Sequence, residues 1–199
     1  MKLKTLSLAD CEQVRLWRNQ QSSMLRTPFL LTQEQQEMFY RDVICNRQAN
    51  ARFWGVEATV TEEAWTGDLD GKTVPVEHQH FVGMTGLENI SWENRLAEIS
   101  LIFNPKYSMD KYGEEALRLL LYEGFMNMNL ENIYTEVYSC NPNLDFWASI
   151  INKYKCIVAF LPFRKYHNGE YYSSTYLNIN KGAFTEHENS ITESTQALN

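Results

Sequence analysis

The sequence predicts an α+β fold, in which a mixed and mostly antiparallel sheet carries helices on both faces. Its 199 residues are 44% hydrophobic and 13% aromatic, which suits one domain with a substantial core. Apolar residues recur at helical spacing in some segments and alternate in others. The predicted order is two helices, three strands, a helix, a strand, a helix and two strands. Hairpins followed by a strand–helix–strand crossover give a mixed sheet.

Two helices are predicted at the start of the chain. Ser7 and Asp10 have the spacing of a capping box at the head of a helix over residues 7–19. Thr32 and Gln35 repeat this spacing, so a second helix is predicted to begin there.

Three strands are predicted next, at residues 53–60, 81–90 and 95–103. The polar, acidic stretch 61–79 contains glycine, proline and aspartate, and it is predicted to be an enlarged hairpin loop inserted between the first two strands. Pro105 ends the third strand.

The carboxyl-terminal half alternates helices and strands. The strongest helical pattern covers residues 112–127, where apolar residues share one face. The remaining predictions are a strand at 133–139, a helix ending near 154, and two closing strands at 156–162 and 171–179. Residues 1–180 are thus predicted to form one domain, and the weakly patterned residues 181–199 a disordered tail.

Charge and composition exclude several classes of protein. With 18 basic and 25 acidic residues the net charge is −7, which argues against a nucleic-acid partner. No apolar run is long enough to span a membrane and no signal peptide is evident, so a cytoplasmic protein is expected. The four cysteines are scattered, and no metal site is predicted.

One segment has the layout of an anion-binding site. The strand at 97–103 leads through a loop into the long helix, whose first amide groups lack partners within the helix. With the helix dipole, such a terminus binds phosphate groups well. An ordinary capped helix would show the same pattern, so the spacing alone leaves both interpretations open.

Residues that match the sequence pattern of a known protein family help to decide between an anion-binding site and an ordinary capped helix. They are dense from about 95 to 141, at residues 97–99, 104–105, 112–117, 129–134, 136–139 and 141. Weaker matches occur at 18–19, 31–32, 39, 163–164 and 168–172. On these residues the chain resembles the GNAT N-acetyltransferases, and within them the Rim-type, spermidine and amino-sugar enzymes. The resemblance covers most of residues 1–180 and implies a GNAT-like fold.

The loop before the long helix departs from the family. Relatives carry Gln or Arg, two free positions, Gly, one free position, and Gly or Ala; residues 108–113 here read Ser-Met-Asp-Lys-Tyr-Gly. Gly113 keeps the pattern, but Lys111 replaces a glycine. Lys111 would either strain the backbone or place its ammonium against a phosphate.

The resemblance implies an acyltransferase that moves an acetyl group from acetyl-CoA to a primary amine by direct transfer. The expected acceptor is a small amine such as an amino sugar or polyamine. The alternatives are a protein amino terminus, as in Rim-type enzymes, or a GNAT-like binding module that has lost turnover. Relatives are often dimers, so a homodimer is compatible with the resemblance.

The same resemblance implies roles for particular residues. Glu136 is the first choice of general base, with partial burial expected to raise its pKa, and Glu98 is the alternative. Tyr154, Tyr138 or water would protonate the thiolate, and an N–H near Leu101 or Ile102 would polarise the thioester. The expected cofactor-binding residues are Leu101, Ile102, Phe103, Lys111, Tyr112, Gly113, Glu114 and Asn141. The expected acceptor-pocket residues are Arg26, Trp54 and Tyr171.

Overall fold

Seven strands form one mixed sheet in the computed structural model, which describes residues 1–22, 25–65, 73–107 and 109–196. The strands are β1 (Lys2–Lys4), β2 (Arg52–Trp65), β3 (Thr73–Ser91), β4 (Leu96–Phe103), β5 (Asn132–Tyr138), β6 (Ile157–His167) and β7 (Glu170–Asn180). Their order in the sheet is β1-β2-β3-β4-β5-β7-β6. This confirms the predicted fold class.

The central strand pair opens into a gap. Every neighbouring pair is antiparallel except β4 and β5, which are parallel and paired only from Leu96 with Asn132 to Glu98 with Tyr134. Beyond Glu98 both strands continue without pairing to each other, β4 to Phe103 and β5 to Tyr138. Because no ladder joins them there, the carboxyl ends of the two strands leave space between them.

Helices cover both faces of the sheet. They are α1 (Leu8–Gln20), α2 (Gln33–Phe39, extended by a π-turn over Tyr40–Ile44), α3 (Met109–Tyr122, extended by a π-turn over Glu123–Asn127), α4 (Leu144–Tyr154) and α5 (Lys181–Gln196). Both predicted capping boxes are present, at Ser7 and Thr32. Each satisfies amides that the first helical turn cannot pair internally.

Two separate apolar layers hold these helices. On one face α1 buries Val14 and Trp17 against Met84 of β3. On the other face α3, α4 and α5 pack on the strands, with Leu117 and Phe125 among the fully buried side chains. The alternation of side chains along each strand makes this possible, since successive residues serve opposite layers.

The structure corrects the predicted insertion and the predicted tail. Strands β2 and β3 stay paired out to Trp65 and Thr73, so most of residues 61–79 is strand, and 66–72 lie outside the described residues. Residues 181–196 form α5 because Phe184 is fully buried against Phe125 and Tyr154. One aromatic anchor thus docks a helix whose sequence is mostly polar; residues 197–199 lie outside the described part.

Within the described residues, none of the helices has the length and apolar character needed to cross a membrane. The described residues also hold no group of three or more His, Cys, Asp or Glu side chains arranged to bind a metal ion.

Candidate active site

A cleft of about 670 Å³ occupies the gap between β4 and β5. Its walls combine these two strands with α1, the segment at 25–27, the start of α3 and the turn before α4. Because side chains alternate along a strand, Glu98 and Glu136 lie on the sheet face that α1 covers. Asn141, Met109 and Trp147 line the side of the cleft formed by α3 and α4.

Glu98 is a buried carboxylate, 8% exposed, that holds a half-exposed arginine. Arg26 pairs with it through both guanidinium nitrogens, and Asn89 donates from Nδ2 to its Oε2 at 2.8 Å. The hydrogen bond to Glu98 outweighs desolvation and raises the pKa of Arg26, with Tyr138 contributing. Arg26 therefore stays cationic in the lining of the cleft.

Glu136 is held by two donors on one oxygen. Arg164 donates from Nε at 2.8 Å and Ser174 from Oγ at 2.7 Å, both to Oε1. Burial disfavours the charged carboxylate, but these hydrogen bonds outweigh burial and lower the pKa of Glu136. This corrects the expectation of a raised pKa. Glu136 is an anion at neutral pH, and its Oε2 has no hydrogen-bond partner among the described residues.

Asn89 and Arg164, which donate to these carboxylates, lie at irregular positions of two strands. The register of β3 against β4 shifts after Glu88, where Asn89 has a φ of 50°. The register of β6 against β7 shifts between Leu161 and Lys165, and Phe163 there has a φ of 53°. A bulge changes the direction of the neighbouring side chains. A non-glycine residue with a left-handed backbone costs conformational free energy, and such strained residues are concentrated at functional sites.

Carboxylates outnumber guanidinium groups around the cleft. Its lining contains four carboxylates and two arginines; the carboxylates belong to Glu88, Glu98, Asp110 and Glu136. Of the two arginines, Arg18 donates to the carbonyl oxygens of Thr27 and Phe29, and Arg26 is paired with Glu98. Arg164 lies outside the lining but pairs with Glu136, so three guanidinium groups face four carboxylates, and the remaining negative charge favours a cationic molecule only slightly.

The start of α3 differs from the expected loop. The helix begins at Met109, so Lys111 is helical and has no left-handed backbone; the strain expected there is not found. Gly113 and Glu114 lie beyond the first turn of this helix, so their amides are paired within it, which corrects the prediction for these two residues. Glu114 is exposed and pairs with Lys153.

Gly113 has a packing role in this structure. A Cβ on it would lie 2.8 Å from Sδ of Met109 and 3.1 Å from Cε2 of Phe146. The glycine therefore lets α4 approach the first turn of α3, which brings the turn at Asn141 close to the cleft.

Several predicted cofactor-binding residues do line the cleft. Leu101, Ile102 and Phe103 lie on the part of β4 that has no partner on the β5 side. Asn141 also lines it, and its Oδ1 accepts the N–H of Asn143 at 2.9 Å, which shapes the turn into α4. The structure thus brings together Arg26, Glu98, Glu136, Asn141 and the end of β4.

Seven predicted residues do not line the cleft: Lys111, Tyr112, Gly113 and Glu114 in α3, and Tyr154, Trp54 and Tyr171. Tyr154 is 1% exposed, and its hydroxyl is buried beside α5, where His187 contacts its ring. It cannot reach the cleft, which corrects its expected role as proton donor. Trp54 packs against the core, and Tyr171, at the start of β7, is exposed against Tyr166, so neither lines the cleft.

Other residues of the cleft escaped the sequence analysis. Arg18, Gln21, Tyr107 and Trp147 line it. Arg18 and Arg164, which holds Glu136, both lie at positions that match the GNAT family. The resemblance was therefore the signal by which they could have been found. The contact of Arg164 with Glu136 depends on a bulge that periodicity does not reveal, and so does the contact of Asn89 with Glu98.

Comparison with known proteins supports this picture. A family model described as an acetyltransferase (GNAT) domain matches residues 1–144. No curated protein sequence matches at a significant level.

Solved structures match the whole fold. Mutant forms of the spermidine/spermine N-acetyltransferase SpeG from Vibrio cholerae align at 18% identity with a TM-score of 0.70, covering 94% of this chain and 97% of theirs. A SpeG chimera of Vibrio cholerae and hSSAT aligns at 17% identity with a TM-score of 0.69, covering 93% and 99%. At such identities the likeness establishes the fold. Together with the family match over most of its length, it shows that this chain belongs to the GNAT acetyltransferase family and is an acyltransferase.

Proposed function

We propose that the protein transfers the acetyl group of acetyl-CoA directly to a primary amine of a small cationic molecule, of which a polyamine is the best example. The observation that carries this proposal is the single cleft that joins the start of α3 to the carboxylates Glu98 and Glu136. Binding both reactants side by side in one cleft supplies the proximity term, which reaches ~7–11 kcal/mol in well-oriented systems.

The donor side fits a phosphate-bearing carrier. The first turn of α3 offers the backbone N–H groups of Met109 and Lys111, and the ammonium of Lys111, as donors for phosphate oxygens. Asn141, in the turn before α4, offers its amide nitrogen to the pantetheine arm. Acetyl-CoA supplies an activated acyl group as a thioester. The part of β4 that has no partner on the β5 side, near Leu101 and Ile102, provides N–H groups that polarise the carbonyl.

The acceptor side provides the base. Glu136 is ionised at neutral pH, and its Oε2 is available to accept a proton from the substrate ammonium, directly or through one water. Arg164 and Ser174 fix the carboxylate by its other oxygen, so the accepting oxygen is held in place. Removing the proton leaves the neutral amine that attacks the carbonyl carbon.

Tyr138 takes the place expected of Tyr154 as proton donor. It lines the cleft at the end of β5, is 6% exposed, and lies beneath the ammonium of Lys165, 5.2 Å from its ring centroid. Its place in the lining, at the carboxyl end of β5, supports it as the proton source. In this role it protonates the departing thiolate.

The charge of the cleft selects the acceptor class. Four carboxylates line the cleft, and the three arginines Arg18, Arg26 and Arg164 are all engaged with protein oxygens, so the remaining negative charge favours an amine that carries further positive charge. The structural neighbours named as spermidine N-acetyltransferases act on such an amine, which supports the same choice. An amino sugar has a single positive charge and would gain less from this lining.

The test is a panel of amines assayed for thiol release with acetyl-CoA, including spermidine, glucosamine and a peptide with a free amino terminus. We expect spermidine to give the highest kcat/KM. Turnover confined to the peptide would identify a protein acceptor instead. If no amine gives thiol release but acetyl-CoA raises the melting temperature, the protein is a binding module. If acetyl-CoA gives neither thiol release nor thermal stabilisation, the proposal is contradicted entirely.

A further inference from the structure

Two tyrosines stack on the sheet beside the carboxylates of the cleft. The rings of Tyr134 on β5 and Tyr176 on β7 are nearly parallel, with centroids 5.0 Å apart and an angle of 20° between their planes. The sheet register places Tyr134 opposite Glu98 and Tyr176 opposite Glu136. Because residues directly opposite each other on neighbouring strands point to the same face, all four side chains share the face that carries α1.

Helix α1 leaves this pair of rings partly open to solvent. Among the residues that the structure describes, the apolar cluster beneath α1 takes side chains from β2, β3 and β4, and none from β5 or β7. Tyr134 and Tyr176 are both half-buried. They adjoin the lining of the cleft at Glu98 and Glu136 without belonging to it. The two rings therefore form an accessible aromatic surface next to the cleft.

The electrostatic potential around the two rings is negative. Burial is the main reason that the pKa of Tyr176 is raised to about 12, with further contributions from Tyr134 and from both carboxylates. Burial and Glu98 likewise raise the pKa of Tyr134, although Arg26 opposes them. Both phenols are therefore neutral at physiological pH. A potential that opposes loss of the phenolic proton also stabilises a cation at the same place.

We propose that Tyr134 and Tyr176 bind the distal ammonium group of a polyamine acceptor through cation–π contacts, and so determine the preference for acceptors with more than one charge. This inference rests on the proposed function. Glu98 and Glu136 are already paired with arginines, so a further ammonium group needs another partner. The face of an aromatic ring provides one, because it attracts a cation without carrying a formal charge.

The spacing along β5 fits such an acceptor. Residues two apart on a strand are roughly 7 Å apart, which is close to the separation of two ammonium groups joined by four methylene groups. Tyr134 precedes Glu136 by two residues on β5. An amine held at Glu136 for reaction therefore brings its next nitrogen near the stacked rings.

Steady-state kinetics with two amines tests the proposal. Spermidine carries a distal charge and propylamine does not, so loss of the rings should affect spermidine alone. We expect Tyr134→Leu with Tyr176→Leu to raise the KM for spermidine about tenfold, and to leave kcat/KM for propylamine and the KM for acetyl-CoA within about twofold. Tyr134→Phe with Tyr176→Phe keeps both rings and should behave like the wild type. The control Tyr122→Leu removes an exposed tyrosine at the end of α3 and should have no effect.

Fluorinated phenylalanines at position 176 test the contact even if the leucine variants unfold, since they keep the ring but withdraw electron density from its face. We expect the KM for spermidine to rise with each added fluorine. An unchanged KM in folded leucine variants or across the fluorinated series would overturn the proposal, and so would an equal loss of activity towards propylamine. A wild type that releases no thiol with either amine would contradict the proposed function, and this inference with it. Activity on spermidine that is insensitive to the rings would contradict this inference alone.

Discussion

Nε of Arg164, on the edge strand β6, donates a 2.8 Å hydrogen bond to Oε1 of Glu136 on β5, across the intervening strand β7. Ser174 of β7 donates to the same oxygen. Three strands therefore converge on one carboxylate of the cleft. The bulge at Phe163 makes this reach possible, because it displaces Arg164 from the regular register of β6.

This pairing predicts a pH effect. Arg164 lowers the pKa of Glu136, so Arg164→Gln should raise it, and the acid limb of kcat/KM should move to higher pH. A carboxylate with a lowered folded-state pKa adds stability above its unfolded pKa and loses it as the pH falls through the folded value. The variant should therefore lose less stability on acidification. Arg118→Gln, which breaks a similar pair on α3, should leave the pH–rate profile in place.

Glu136 itself should be needed for turnover. Glu136→Gln keeps the size of the side chain but cannot accept the proton, and kcat should fall by about 100-fold. Binding of acetyl-CoA, measured by calorimetry, should stay within about twofold, since the residue lies on the acceptor side. The exposed Glu170→Gln serves as the control. Unchanged kcat in Glu136→Gln would rule out its role as base.

Arg26 should oppose binding of the cationic acceptor. Its guanidinium forms an ion pair with Glu98. Arg26→Gln therefore removes a positive charge from the proposed acceptor side and leaves the carboxylate of Glu98 available to the substrate. We expect KM for spermidine to fall about tenfold, or ~1.4 kcal/mol, whereas Arg26→Lys should behave like the wild type. A rise in KM for Arg26→Gln would show instead that Arg26 helps to bind the acceptor.

Helix α5 should contribute to global stability. Phe184 is fully buried between Phe125 and Tyr154, and Phe184→Ala should lower the free energy of unfolding by ~3–5 kcal/mol. Glu193→Ala, on the exposed side of the same helix, should change it by less than about 0.5 kcal/mol. Chemical denaturation measures both. Equal, small effects would mean that α5 is not docked on the domain.

Local patterns were sufficient for most of the fold. The capping boxes at Ser7 and Thr32 and the helical apolar stripe through Leu117 specify structure within a few residues of themselves, so they could be found in the sequence. Helix α5 was missed because its docking depends on one residue, Phe184, and on a partner surface distant in the chain. A single anchor leaves no periodic signal.

The site was predicted less completely, for a related reason. Glu98 and Glu136 were found through resemblance, and the structure places both in the cleft. Asn89 and Arg164, which hold them, reach them from bulges, where strand alternation does not apply. The prediction of Tyr154 as proton donor was wrong because its side chain packs against α5, a helix that the sequence pattern did not predict.

Hydrogen–deuterium exchange with and without acetyl-CoA is the most direct test of where the donor binds. We expect added protection in peptides covering the end of β4 that has no partner on the β5 side, the first turn of α3 and the turn at Asn141, with little change in β1 or α5. Protection confined to other segments, or no protection at saturating acetyl-CoA, would contradict the assignment of the cleft between β4 and β5 as the acyl-donor site.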